Sequence, residues 1–251
     1  MTSSDENFAR PLKVLTYNVH SCRGTDRKLD IARIAEVIAT CNADIIALQE
    51  LDVGRRRTGG FDQAHEIAAL LDMKSHFHPA LHVEEEKYGD AILTALPSSL
   101  VKADALPSLG EPRGAIWLEV LVDGRSVHVF NTHFGLRRRE RLAQVETLFG
   151  PDWLGSERCR NLPRILMGDF NAVPSSRVYK NLVQTMRDAD QPIAGRRRPT
   201  FPSRFPLLRL DHIFISPELT AIQTQVETGP LIRSASDHLP LTATLELSPS
   251  A

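Results

Sequence analysis

Side chains of the kinds that bind cations, move protons or hold phosphate recur at the edges of apolar runs in this chain. Asn18 and His20 end one run, Gln49 and Glu50 end the next, Tyr88 opens another, and Asn131 and His133 close a later one. Asp169 and Asn171 follow Met167-Gly168, Asp211-His212 open a further run, and Asp237-His238 precede the last. Each has an ordinary structural reading alone, because Asn and Asp form turns and a single His near a core is usually just hydrogen-bonded there. Their recurrence in one context points to a shared site, because layered folds gather strand-end loops around a ligand.

Residue type narrows the chemistry. A hard divalent cation takes oxygen ligands and keeps several waters, which suits Glu50 and Asp237 with an amide oxygen from Asn18 or Asn171. Zinc would call for a compact His or Cys spacing, which the chain lacks. Asp169 and Asn171 are two apart, so on an extended backbone both face one side. Asp237 and His238 are adjacent and can share a site only from a loop. A His held by a carboxylate is the usual acid–base arrangement. Nucleophile-elbow, Walker and dinucleotide glycine motifs do not occur, which removes support from serine hydrolases, P-loop kinases and dinucleotide enzymes. Hydrolysis at phosphorus by a positioned water remains.

The elements that must position these residues alternate along the chain. Period-2 and β-branched runs predict strands at 12–19, 44–49, 74–83, 88–96, 101–106, 114–122, 126–134, 164–169, 209–216, 219–227 and 239–247. Helical spacing predicts helices at 29–41, capped by Asp30, and at 63–71, 137–148 and 175–186. Hairpins in the middle with helices interspersed suit two sheets packed face to face with helices outside, better than a doubly wound sheet. The 251 residues, 42% apolar and 24% charged, suit one α/β domain over 12–248 behind a flexible tail at 1–11. Thirty basic against 31 acidic residues leave a net charge of −1, so any polyanion must be caught by a local patch. Three widely spaced cysteines give neither a disulfide framework nor a zinc cluster. The longest apolar run falls far short of the roughly 18 residues of a membrane span, and the polar start lacks a secretory pattern. A cytoplasmic protein, monomeric by default, is expected.

The ordered string Leu15-Thr-Tyr-Asn18, Leu48-Gln-Glu50, Tyr88-Gly89, Asn131-Thr-His133, Gly168-Asp169-Phe-Asn171, Leu210-Asp211-His212 and Ser236-Asp237-His238 resembles the endonuclease/exonuclease/phosphatase superfamily, in its small bacterial branch. The resemblance implies a four-layered α/β sandwich of the DNase I-like type, with two mixed β-sheets face to face and a Mg²⁺ site, Mn²⁺ being the alternative. It implies that Glu50 is the main metal ligand with Asn18 and Asp237 at or near the metal, and that Asp169 and Asn171 orient water and phosphate. It also implies that His238, held by Asp211, contacts phosphate and handles protons, that Tyr88 positions phosphate, and that His133 is the second histidine of the deoxyribonuclease, sphingomyelinase and inositol-phosphatase branches. Asp90 either orients His133 or is a solvated turn residue after Gly89, and His20 either adds to the metal's outer shell or hydrogen-bonds the core. Arginine matches phosphate bidentately, so Arg113 and the triplets at 55–57, 137–139 and 196–198 are candidate substrate contacts unless they are merely solvated. The rings of Phe201 and Phe205 could stack on a base, pack on a lipid or lie in the core. The function expected is a metal-dependent phosphoric ester hydrolase, first a phosphodiesterase of the nuclease or phospholipid-headgroup type. The alternatives are a phosphomonoesterase on a small phosphorylated sugar or inositol, and a non-catalytic phosphate-binding module.

Overall fold

In the computed structural model, which describes residues 10–190 and 197–248, two six-stranded sheets pack face to face. The strands are β1 (Leu12–Asn18), β2 (Ile45–Val53), β3 (Lys74–Val83), β4 (Glu86–Thr94), β5 (Ser98–Leu106), β6 (Arg113–Val122), β7 (Arg125–His133), β8 (Arg164–Asp169), β9 (Arg187–Asp188), β10 (Asp211–Ile215), β11 (Leu219–Val226) and β12 (Leu241–Leu247). The helices are α1 (Ile31–Cys41), α2 (Gln63–Leu70), α3 (Arg138–Leu148), α4 (Arg177–Leu182) and α5 (Pro230–Ala235). The first sheet runs β11-β12-β1-β2-β4-β3 and the second β5-β6-β7-β8-β10-β9. Both mix parallel pairs, β1 with β2 and β7 with β8, among antiparallel ones. This is the expected α/β sandwich. The tail expected at 1–11 and the arginine at 196 fall largely outside the described residues, only Arg10 and Pro11 of the tail lying within them.

Period-2 alternation sorts each strand between two environments. On β1, Leu12 and Val14 enter the core between the sheets, while Leu15 and Tyr17 pack outward with Ile34 and Ile38 of α1. On β8 and β10, Ile165, Met167, Ile213 and Ile215 face inward, while Leu166 and Phe214 join Leu148 of α3 and Leu182 of α4 outside. The helices therefore seal the outer faces. Asp30 caps α1 by accepting a hydrogen bond from the Arg33 N–H at 2.9 Å, and Asn42 ends it in the left-handed region that Asn tolerates.

Strand 44–49 in fact continues to Val53 beyond an irregularity, and the helix expected at 175–186 shrinks to Arg177–Leu182 before the short β9. The helix α5, led by Pro230 at its first position, has no long apolar period to announce it. Inward-facing positions at one end of the sheets turn polar, and there Asn131 joins the two layers. Its amide donates to the carbonyls of Leu48 and Ala91 at 2.9 and 2.8 Å, and its oxygen accepts from Gln49 Nε2 at 2.8 Å. All this is buried, so Asn131→Ala removes its hydrogen bonds to two carbonyls, although Gln49 Nε2 keeps the Thr16 hydroxyl and the Ala47 carbonyl, and should cost about 2–3 kcal/mol. Denaturant unfolding measures it, and a loss below about 1 kcal/mol would show that apolar packing alone holds the sheets together.

Candidate active site

The polar ends of both sheets meet in a cleft of about 740 Å³, and the first sheet supplies Asn18 and Glu50. Strict alternation on β2 leaves no inward place for Glu50, because Leu48 and Leu51 both pack against the outer helices. The β2–β4 register shifts between those two residues, and Glu50 takes φ 64°. A bulge with a left-handed non-glycine residue is strained, and such bulges re-aim side chains beside sites. Here it brings Glu50 to the cleft. Asn18 Nδ2 donates to Glu50 Oε1 at 2.9 Å and to Asp169 Oδ2 at 3.1 Å, linking carboxylates of the two sheets. Asn18 Oδ1 accepts the His20 backbone N–H at 3.0 Å. The Asn18 amide thus bridges carboxylates of the two sheets, and its oxygen, with one of two lone pairs used, stays at the edge of this donor set.

His20 stands in a left-handed turn with Ser21 and Cys22, at φ 48°, 52° and 56°, tied down by Gln63 Nε2 donating to the Ser21 carbonyl at 2.8 Å. Its Nδ1 lies 3.1 Å from the Arg23 carbonyl and 3.9 Å from Asp237 Oδ1. The Asp237 loop is anchored by Ser236, whose hydroxyl donates to the Asn18 carbonyl at 2.8 Å and accepts the His238 N–H at 3.3 Å. Glu50 is held above the ordinary carboxylate range, first by burial and then by Asp169 and Asp237 nearby, against the Asn18 hydrogen bond. Carboxylates crowded in this way are a donor set for a hard cation. Glu50 and Asp237 are the two that fit it.

Two histidines approach Asp169, His133 from the end of β7 in the second sheet and His238 from the loop that leads into β12 of the first. His238 Nδ1 lies 2.8 Å from Asp211 Oδ2, and its Nε2 lies 3.6 Å from Asp169 Oδ2. Burial opposes charge on this ring, but Asp211, Asp169 and Asp237 outweigh it and push the pKa up to about 10. Asp169, Asp211 and His238 place potential ligand atoms within 4.8 Å of one another, yet both ring nitrogens of His238 already face carboxylates. This trio is better matched to a charged imidazolium than to a metal. The Phe201 ring packs on His238 at 4.8 Å between centroids, so that phenyl shields the histidine while Phe205 is exposed.

His133 is the opposite case. Burial, reinforced by Arg113 and His238, drives it down to about 3 against the pull of Asp169. Arg113 Nη1 lies 3.2 Å from its Nδ1, and Asn171 Nδ2 lies 3.2 Å from its Nε2. A neutral ring can accept at only one nitrogen. Asp169 Oδ2, 3.6 Å from Nε2, selects a proton there, so Nδ1 accepts from Arg113. Asp90 does not orient this ring: no hydrogen bond or ion pair joins the two among the described residues, and Arg113 takes the position expected of it. Asp90 instead accepts the Glu50 backbone N–H, with burial pushing its pKa up to about 7 against the pull of Arg113. Asn171 reaches His133 from a left-handed turn, φ 47°, closed by its own N–H on Asp169 Oδ1 at 2.9 Å, and not from extended backbone.

Tyr88 is buried in the cleft wall, with the guanidinium groups of Arg57 and Arg55 over its ring at 5.4 and 5.9 Å. Arg57 also grips Asp52 at 2.7 and 2.8 Å. That ties part of the first arginine triplet into the protein, while Arg137 of the second lines the cleft. Sequence reading gave no sign of the Arg113–His133 contact, the Ser236 anchor or the Phe201 shield, which depend on loops meeting in space.

A two-sheet sandwich with crowded carboxylates, a paired His–Asp and a second, neutral histidine in one cleft defines a hydrolase acting on phosphoester bonds. The Endonuclease/Exonuclease/phosphatase family model matches residues 15–238, and the chain belongs to that family. The uncharacterized protein YbhP of Escherichia coli (strain K12) is 30% identical over 255 residues, covering 97% of this chain and 99% of that protein. A family protein from Bacteroides thetaiotaomicron superposes with a TM-score of 0.77 at 20% identity, covering 96% of this chain and 99% of that one. The mannosyl-6-phosphatase of Bacteroides thetaiotaomicron VPI-5482 gives a TM-score of 0.73 at 22% identity, covering 93% and 99%.

The raised His238 pKa sets a test in the metal-free protein. Because its folded value of about 10 lies above the ordinary value of 6.5, its charge adds stability that is complete below 6.5 and is lost as pH rises through about 10. Imidazole NMR in EDTA should find this ring protonated at pH 8, and Asp211→Asn should lower its pKa as burial takes over. A neutral ring at pH 8 in the wild type would refute the assignment.

Proposed function

We propose that the chain is a Mg²⁺-dependent phosphodiesterase that attacks phosphorus with a positioned water. The observation that carries this reading is the geometry of His238, 2.8 Å from Asp211 and facing Asp169, in one cleft with the Glu50 and Asp237 carboxylates. Glu50 and Asp237 would hold Mg²⁺, or Mn²⁺ in its stead, and the bound cation would neutralise charge developing on the phosphoryl oxygens. Asp169 orients the attacking water. Its Oδ2 is approached by Asn18 and by both histidines, which fixes the carboxylate for that task. As the P–O bond to water forms and the P–O bond to the leaving alcohol breaks, Asp169 takes the water's proton and the His238 imidazolium gives its own to the leaving oxygen, while the neutral His133 donates a hydrogen bond from Nε2 to a phosphoryl oxygen without adding charge. Arg113 and Tyr88 flank the phosphate, and the Arg113 guanidinium, donating to Nδ1, keeps His133 in place.

A diester needs space for an organic group on each side of phosphorus. The cleft offers it, with His20, Arg23 and Arg57 toward one side and Gly110, Leu136 and Arg137 from the loops of the second sheet. The second reading is a phosphomonoesterase on a phosphorylated sugar, favoured by the shared fold of the mannosyl-6-phosphatase. Hydrolysis of bis(p-nitrophenyl) phosphate and p-nitrophenyl phosphate separates the two. The diester should be cleaved in Mg²⁺ and not in EDTA, with Glu50→Ala and His238→Ala each lowering kcat/KM by about 10²-fold or more. Cleavage of the monoester alone moves the second reading to first place.

A further inference from the structure

Large apolar side chains normally stay off the surface as contiguous groups, and where they cluster at a rim they mark a contact. The most exposed in this protein are Leu207 at 79%, Phe205 at 78%, Leu136 at 72% and Leu109 at 60%. All stand on loops whose ends or tips reach the cleft, and Leu207 also lines a second pocket beside Val173 and Arg197. Leu136 lines it directly, and Leu109 precedes Gly110 and Glu111, which also line it. Phe205 and Leu207 crown the loop between Phe201 and Leu210, both lining residues, and that loop is closed by Leu207 and Leu208 N–H groups donating to the Phe201 carbonyl at 2.9 and 2.8 Å. Phe61, also exposed, follows the cleft residues Arg57 and Thr58.

Arginines surround these tips. Arg137, Arg138 and Arg139 follow Leu136 and are all exposed, and Arg204 precedes Phe205. None of these four makes an ion pair among the described residues, whereas the acidic neighbours are engaged: Glu111 with Arg113, and Glu140, buried, with the backbone of Leu109. A helix or loop tip that is apolar at its end and cationic at its sides matches the interface of an anionic bilayer, where the tips enter the acyl boundary and guanidinium groups meet phosphates. A nucleic acid would use the same charge but would leave the leucines in water.

We propose that the rim of the cleft docks on an anionic phospholipid surface, with Phe205, Leu207, Leu136 and Leu109 inserted and Arg137–Arg139 and Arg204 against the headgroups. The docked cleft then opens onto phosphodiesters of the headgroup layer. That last step rests on the hydrolase reading; docking itself does not.

Co-sedimentation with vesicles of phosphatidylglycerol and phosphatidylcholine tests it. The protein should pellet with mixed vesicles, weakly with phosphatidylcholine alone, and less as salt rises. The double variants F205S/L207S and R138E/R139E, at residues that stand outside the lining of the cleft, should each weaken pelleting at least tenfold and leave hydrolysis of bis(p-nitrophenyl) phosphate within twofold of wild type. Both pairs are exposed, and acidic residues suit the first turn of α3, so the fold tolerates them. Wild-type protein that stays in the supernatant overturns the proposal, as do variants that pellet unchanged. So does a lipid-free dimer dispersed by F205S/L207S, which would mean that the tips join two copies. Pelleting without any diester cleavage would overturn the phosphodiesterase reading and leave docking standing.

Discussion

A site divided between two sheets works only if the sheets cannot slide on each other, and apolar packing by itself is non-directional. In this protein the constraint is the buried amide contact between Asn131 of the second sheet and Gln49, Leu48 and Ala91 of the first. Gln49 extends it to the Thr16 hydroxyl at 3.1 Å, so β1, β2, β4 and β7 are joined in one network. Every group in it is desolvated, and a displacement of either sheet would strand donors and acceptors at once. Asn18 repeats the device at the cleft itself, where it connects Glu50 and Asp169. The distance between those carboxylates, on which any shared cation or water depends, therefore follows from backbone register in both sheets.

The same geometry explains what sequence patterns could convey. Asn18, Gln49, Asn131, Asp169 and Asp211 sit in step with inward-facing apolar residues such as Val14, Ala47, Val129, Met167 and Ile213, so a period of two that runs from core to polar end already aims them at one place. Glu50 escapes that logic. Its direction depends on a bulge, and nothing in Leu-Gln-Glu-Leu says that the chain will take a left-handed turn there. The His20–Cys22 turn is equally silent, since it has left-handed backbone without a glycine and is held by Gln63 and Arg57 from distant positions. The pairing of Arg113 with His133 is a matter of side-chain reach between β6 and β7. Counting residues could bring Asp90 and Arg113 to the same neighbourhood but could not rank them, and the guanidinium won the contact.

That contact divides the two histidines chemically. Both rings are buried and both lie 3.6 Å from the same oxygen of Asp169, so their difference must come from their other neighbours. His238 has Asp211 on its far nitrogen and stays charged; His133 has a cation there and stays neutral. Two identical side chains thereby present a cationic and a neutral donor to one ligand.

These arrangements work against stability. Glu50 is strained in φ, its carboxylate is crowded by Asp169 and Asp237, and one oxygen of Asp211 is buried without a partner. Each feature would be eliminated if folding alone were optimised, and each becomes favourable only with positive charge or a donor in the cleft. A cation held by Glu50 and Asp237 would relieve the crowding, and by mass action its binding free energy would add to that of folding. The sheets and their amide network thus supply the stability that the cleft withholds. That division sets the buried amide contacts of Asn131 and Gln49 one layer beneath the strained and crowded residues of the cleft.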